Sequence, residues 1–227
     1  MAKINELIYD VREALKEHSD DSEISNRYII YLYNIKRAKY LRQDLNNYQK
    51  TVDNSVQQSF CIKLEEVSIN ECNVDTECDK ILRTVSKLPK PIDIASKVAI
   101  NSVKPTNRLS IPFNFVSKDR IPYLGSSPYS KGIYSFLDPD GYIYLVSKSN
   151  ISLLDCISIT GVFENPLDLQ KYSNCCDCDD ETVCFDEAIT EYPLQPHYID
   201  LIKKEIVSDL LVTKQVKEDI ENDGEDS

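Results

Sequence analysis

The chain has no tryptophan, one methionine, two histidines and five glycines among 227 residues, and these shortages remove whole classes of function. Any histidine-dependent triad would have to use His18 or His197, and no nucleophile motif stands near either. His18 lies among polar residues at the end of the first predicted helix, and His197 follows two prolines at the start of a late one. The glycines, Gly125, Gly132, Gly141, Gly161 and Gly224, are isolated. Neither a phosphate-cradling P-loop nor a GxGxxG turn can be built from them. No apolar run approaches the roughly 18 residues of a membrane span. The opening MAKINELIYDVREALK carries acids on an amphipathic pattern instead of a basic region followed by an apolar signal core. A cytoplasm-like, reducing compartment is the expectation, with the eight cysteines as free thiols.

What is present suits one large domain, or a domain with a sizeable insertion. Hydrophobic residues make up 41% and charged residues 28%, enough for a core under a solvated surface. The net charge of -12 is unevenly placed. Residues 1–163 hold 21 basic and 20 acidic side chains, whereas residues 164–227 hold 5 and 18. That final quarter repels phosphate, which argues against its gripping nucleic acid.

Helical periodicity marks three stretches. Ile4, Leu7, Ile8, Val11 and Leu15 share one face of a helix from about Lys3 to Lys16. After a short polar link, Ser19 to Leu45 predicts a second helix of about 24 residues, roughly 36 Å long. Asp20, Asp21 and Ser22 are its N-cap candidates. Ile24, Tyr28, Tyr31, Leu32, Ile35 and Ala38 predict its apolar face, and Arg27, Lys36, Arg37, Lys39 and Arg42 its basic one. The two helices fold back as a hairpin. A third helix spans His197 to Val212, with Tyr198, Leu201, Ile202, Ile206, Leu210 and Leu211 on one side. Charge without periodicity then predicts a disordered acidic tail over 213–227.

Between the helices the period changes. Gln58 to Val67 predicts a strand with Phe60, Ile62 and Leu64 pointing one way. Cys78 to Val85 reads as a short helix or as extended chain, and Lys87 to Pro91 as a hard break. Further strands are expected over Ile92 to Val103, Arg108 to Val116 and Ile151 to Phe163. Gly132 to Leu137 and Tyr142 to Val146 flank Asp138-Pro139-Asp140-Gly141. Pro139 presets the turn and Gly141 takes a left-handed position, so this is a β-hairpin. A helical turn is expected over Leu167 to Tyr172. The fold class is therefore α+β. A helical hairpin (1–50) and a C-terminal helix (195–212) form a bundle, with an antiparallel β-rich part (51–194) between them.

Four thiols, Cys175, Cys176, Cys178 and Cys184, crowd an acidic loop over 173–187. Zinc takes four thiolates tetrahedrally, but structural sites use paired C-x2-4-C knuckles, and this spacing departs from them. Asp177, Asp179, Asp180 and Glu181 lack the glycine and terminal glutamate of a calcium loop. The expectation is a solvated loop, with no metal, no cofactor and no catalytic residue. The basic stretch Lys36 to Arg42 would suit nucleic acid, or else an acidic neighbour in the same subunit or the next. Fourteen tyrosines, among them Tyr123, Tyr129, Tyr134, Tyr142 and Tyr144 at the hairpin, suit an interface or ordinary strand packing.

The run SDDSEISNRYIIYLYNIKRAKYLRQDLN, followed in order by FCIKLEEVSINEC, GVFENP and EYPL, resembles a family of structural proteins of crAss-like and related tailed phages. These are head-to-tail connector, ring or tail-tubular-like proteins, and the resemblance covers about Ile4 to Leu211. It implies a virion neck component, assembled in the host bacterial cytoplasm. The expected form is a ring of about twelve copies beneath the portal. Its implied partners are itself, the portal protein, the next tail or ring protein, and packaged DNA passing without sequence-specific binding; no membrane is implied. In such a ring the acidic excess would exceed roughly a hundred charges. Lining the lumen it would let DNA slide, and facing outward it would serve solubility or docking. The competing reading is a nucleic-acid-binding or regulatory module built on Lys36 to Arg42.

Overall fold

The computed structural model describes residues 2–16, 24–47, 53–68, 81–95, 97–106, 111–124, 132–147, 151, 153–172 and 191–222, with side chains up to residue 212. It is a mixed α+β structure with helices at both ends and a mostly antiparallel sheet in the middle. Two compact units result: Met1–Val56 with Asp186–Ser227, and Gln57–Phe185. The β unit is thus inserted into the helical one.

In the helical unit, α1 (Ile4–Lys16) buries the face its periodicity gives: Ile4, Leu7, Ile8, Val11 and Leu15. The Tyr192 N–H donates to the Ala2 carbonyl at 2.9 Å, tying the start of the chain to the segment that leads into the last helix. α2 (Asn26–Asn46) is capped by Ser25, whose hydroxyl accepts from the Tyr28 N–H at 3.3 Å. The cap expected at Asp20 to Ser22 falls outside the described residues.

The expected apolar face of α2 needs correcting. The buried positions are Ile29, Tyr33, Arg37, Ala38 and Leu41, while Tyr28, Tyr31 and Ile35 are exposed. Both sets recur at helical spacing, and contact with α1 and α3 selects the first. The third helix, α3 (Pro196–Asn222), buries Tyr198, Ile202, Ile206 and Leu210 and leaves Leu201 exposed. It continues well past Val212, through ten residues of the expected tail. Helical backbone thus runs through nearly three turns of that expected tail.

The β unit contains β1 (Gln58–Val67), β2 (Ile81–Thr84), β3 (Asp93–Ile94), β4 (Lys97–Val98), β5 (Ile100–Pro105), β6 (Asn114–Phe115), β7 (Tyr134–Leu137), β8 (Ile143–Val146) and β9 (Cys156–Gly161). Seven strands form one sheet in the order β5-β9-β1-β2-β8-β7-β6, and β3 and β4 form a separate hairpin. Among the described strands β6–β7 is the parallel pair. The Phe113 N–H, just before β6, donates to Val103 of β5 at 2.7 Å. This bond joins the two ends of the strand order, so the sheet curls on itself toward a small barrel.

Strand alternation sorts the side chains. Phe60, Ile62, Leu82, Val103, Ile143, Leu145, Ile157 and Ile159 form the interior with Phe163 and Leu169. Val67, Ile81, Phe136, Tyr144 and Val146 face outward and are covered by Ile121 from the 3-10 turn Lys118–Tyr123. The β7–β8 hairpin forms as its turn residues predict: Gly141 donates to Asp138 at 2.9 Å and has φ +92°. Gly161 is needed for close approach, since a Cβ there would lie 2.7 Å from the Ala99 carbonyl oxygen. The strand expected over Arg108 to Val116 shrinks to Asn114–Phe115, with Ile111 exposed before it; positions 107–110 lie outside the described residues.

Candidate assembly surface

The basic stretch of α2 is largely taken up within its own unit. Lys36 lies 3.1 Å from Glu205 and 2.6 Å from Asp209, and Lys39 lies 3.2 Å from Glu205. Tyr40 also donates its hydroxyl to Glu205. The Tyr40 bond first, then Lys36 and Lys39, hold the Glu205 carboxyl down to about 2. The Asp209 bond leads those that raise the Lys36 ammonium. The acidic neighbour weighed from the sequence is therefore α3 of the same chain.

Arg37 is fully buried. Its Nε donates to the Pro193 carbonyl at 2.8 Å, and its guanidinium stands 5.8 Å from the centre of the Tyr192 ring. Burial lowers the Arg37 pKa and raises that of Tyr192. The Tyr192 hydroxyl donates to Asn34 at 2.7 Å. Two segments far apart in sequence, YNIKR and EYPL, thus meet in one buried polar joint. The other segments singled out by resemblance are framework too: FCIKLEEV is β1, and GVFENP carries Gly161, the interior Phe163 and Asn165. Asn165 accepts from the Leu167 N–H at 3.2 Å at the start of the 3-10 turn Pro166–Lys171.

What α2 leaves open is aromatic and aliphatic. Tyr28, Tyr31 and Ile35 are 47%, 57% and 45% exposed, and the two rings stack at 6.3 Å and 22°. They lie one turn apart on a single stripe. Tyrosine presents a large rigid ring with little rotamer entropy to lose, so such stripes suit protein contacts.

The hairpin tyrosines are mostly used internally. Tyr144 is buried, stacks on Phe136 at 5.3 Å and donates to Asp140 at 3.0 Å. Tyr134 packs on the outer apolar cluster. Tyr142 sits under Arg83, whose guanidinium lies 4.8 Å from its ring centre. Tyr123 remains exposed, and Tyr129 lies outside the described residues. So do His18 and the loop over 173–187 with Cys175, Cys176, Cys178, Cys184 and its acids. Among the described residues no helix is long and apolar enough to cross a membrane. His197 lies against Tyr198 with ring centres 4.0 Å apart.

One feature contradicts the expectation of free thiols: Cys61 and Cys156 are disulfide-bonded. They sit on β1 and β9, neighbouring strands in the barrel. No sequence spacing marks this pair, because strand pairing and not proximity in the chain brings it together.

The model of one family, phage tail ring protein 2, matches residues 6–227. The chain belongs to that family. It is also 30% identical over 211 residues to "Ring protein 2" of Bacteroides phage crAss001, covering 89% of each chain. Membership of the phage tail ring protein 2 family places this chain among the structural proteins of phage particles. The match takes in both units, so the exposed stripe of α2 belongs to a ring-protein scaffold.

Proposed function

We propose that this protein assembles with copies of itself into a ring in the phage neck, joining portal to tail and keeping the DNA path open. The observation that carries the reading is the exposed Tyr28–Tyr31–Ile35 stripe on a ring-family chain. In this reading α1, α2 and α3 act as one bundle, corresponding to residues 1–50 and 195–212, and the β-rich part over 51–194 falls between them in sequence. The contact grows outward from the stripe, because a stable assembly must bury over about 1,000 Å² in total and three side chains supply only its centre. The portal and the next tail or ring protein meet the two ends of the ring, and DNA passes through without sequence-specific contacts. The pairing of Lys36 and Lys39 with Glu205 and Asp209 supports a structural role for that helix over a nucleic-acid grip.

Negative-stain imaging of the purified full-length protein, with and without the portal as template, tests this. Rings of about twelve copies are the expected result. A protein that stays monomeric on its template and shifts DNA in a salt-dependent gel assay would overturn it.

A further inference from the structure

The outer face of the barrel is covered unevenly. Over β2, β8 and β7 it carries the apolar cluster of Val67, Ile81, Phe136, Tyr144 and Val146 under Ile121. Over β1 and β9 the outward positions are Ser59, Cys61 and Lys63 on one strand, and Thr160, Ser158 and Cys156 opposite them. None of these belongs to the interior cluster or to the cluster under Ile121. The Ser59 and Thr160 hydroxyls bond to each other at 2.7 Å; further along, Cys61 (opposite Ser158) and Cys156 (opposite Lys63) are joined diagonally by the disulfide. A covalent tie therefore joins two buried outward positions on neighbouring strands. Cys61 is 1% exposed and Cys156 7%, so Cys156 is the less deeply buried of the two and the one assigned the first attack.

We propose that Cys61 and Cys156 are an oxidative modification site, present as thiols while the protein is made and closed to the disulfide in the released particle. The oxidant by class is a low-molecular-weight disulfide. The Cys156 thiolate attacks one of its sulfurs, forming a mixed disulfide and releasing one small thiolate. The Cys61 thiolate then attacks the Cys156 sulfur, forms the protein disulfide and expels the second small thiolate. The two electrons and two protons leave with the two small thiols. The product ties β1 to β9 and so closes a loop spanning most of the barrel's sequence, the case in which a cross-link restricts the unfolded chain most. The timing rests on the virion reading given above, whereas the chemistry of the pair does not.

The test uses full-length protein purified under reductant, freed of it and exposed to oxidised glutathione. Remaining thiols are then alkylated and the digest analysed by mass spectrometry. The expected result is a Cys61 peptide linked to a Cys156 peptide, glutathione retained on Cys156 in the Cys61→Ser variant, and a Tm at least about 5 °C above that of the reduced protein. Recovery of both cysteines alkylated, with no linked peptide, would overturn the site. Glutathione held on Cys61 in Cys156→Ser, with none on Cys156 in Cys61→Ser, would overturn the order of attack. In released particles digested without reductant the linked peptide is expected, and free thiols at both positions would refute the timing. Absence of the protein from particles would refute the timing together with the virion reading, leaving the bond itself to the first measurement.

Discussion

Replacing Glu205 by glutamine tests how α2 is held to α3. In the native protein the Glu205 carboxylate accepts from Tyr40, Lys36 and Lys39, and its pKa falls from 4.5 to about 2. Converted in full at about 1.4 kcal/mol per pH unit, that depression would be worth about 3 kcal/mol. The side chain is 30% exposed, and solvent and salt screen such a carboxylate, so about 1–2 kcal/mol is the expected stabilisation. The sign follows from linkage. A carboxyl with a depressed folded pKa contributes fully above about 4.5, and the contribution is lost as pH falls toward about 2. Thermal unfolding followed by helical circular dichroism should therefore show Glu205→Gln melting about 3–8 °C lower at pH 7. The gap should narrow as pH falls from 4.5 and be largest at low salt. Equal Tm values at pH 7, or a gap that does not change with pH, would refute the network as a source of stability.

Other expectations follow from the same structure. Tyr31→Asp combined with Ile35→Asp should leave Tm within about 1–2 °C, because both side chains are exposed, yet abolish self-association in light scattering and negative stain. Gly161→Ala forces a Cβ against the Ala99 carbonyl oxygen at 2.7 Å and should cost about 1–3 kcal/mol in denaturant unfolding. Phe60→Ala empties the barrel interior beside Phe163 and Tyr172, whose ring centres lie 5.5 and 4.8 Å away, and should cost about 3–5 kcal/mol in the same assay.

How legible these features were depended on how many readings each stretch allowed. α1 was open to inspection because aliphatic residues occupy a single side of it, and all five expected positions are buried. β1 and the β7–β8 hairpin were equally plain, the first from alternation at Phe60, Ile62 and Leu64, the second from Pro139 and Gly141. α2 was misread because it carries two stripes of similar apolarity. The true core stripe includes Arg37, a residue that periodicity assigns to solvent; its burial depends on a carbonyl and an aromatic ring supplied from far along the chain. Nearly the same reason hid the barrel. Among the described residues its closure shows in the bond between Phe113 and Val103, and short strands such as β3, β4 and β6 carry too few residues to show a period. The Cys61–Cys156 tie is likewise a product of strand register, which a linear reading does not contain. Of the candidate surface, the tyrosines were visible as residues but not as an exposed set, since tyrosine serves cores and interfaces alike.

The most direct measurement of the central claim is a cryo-EM reconstruction of the neck of released particles, with this chain traced in it. The account predicts a closed ring of this protein, with Tyr28, Tyr31 and Ile35 of each copy buried against the next. A neck that lacks the chain, or a ring in which those three side chains face solvent, would contradict it.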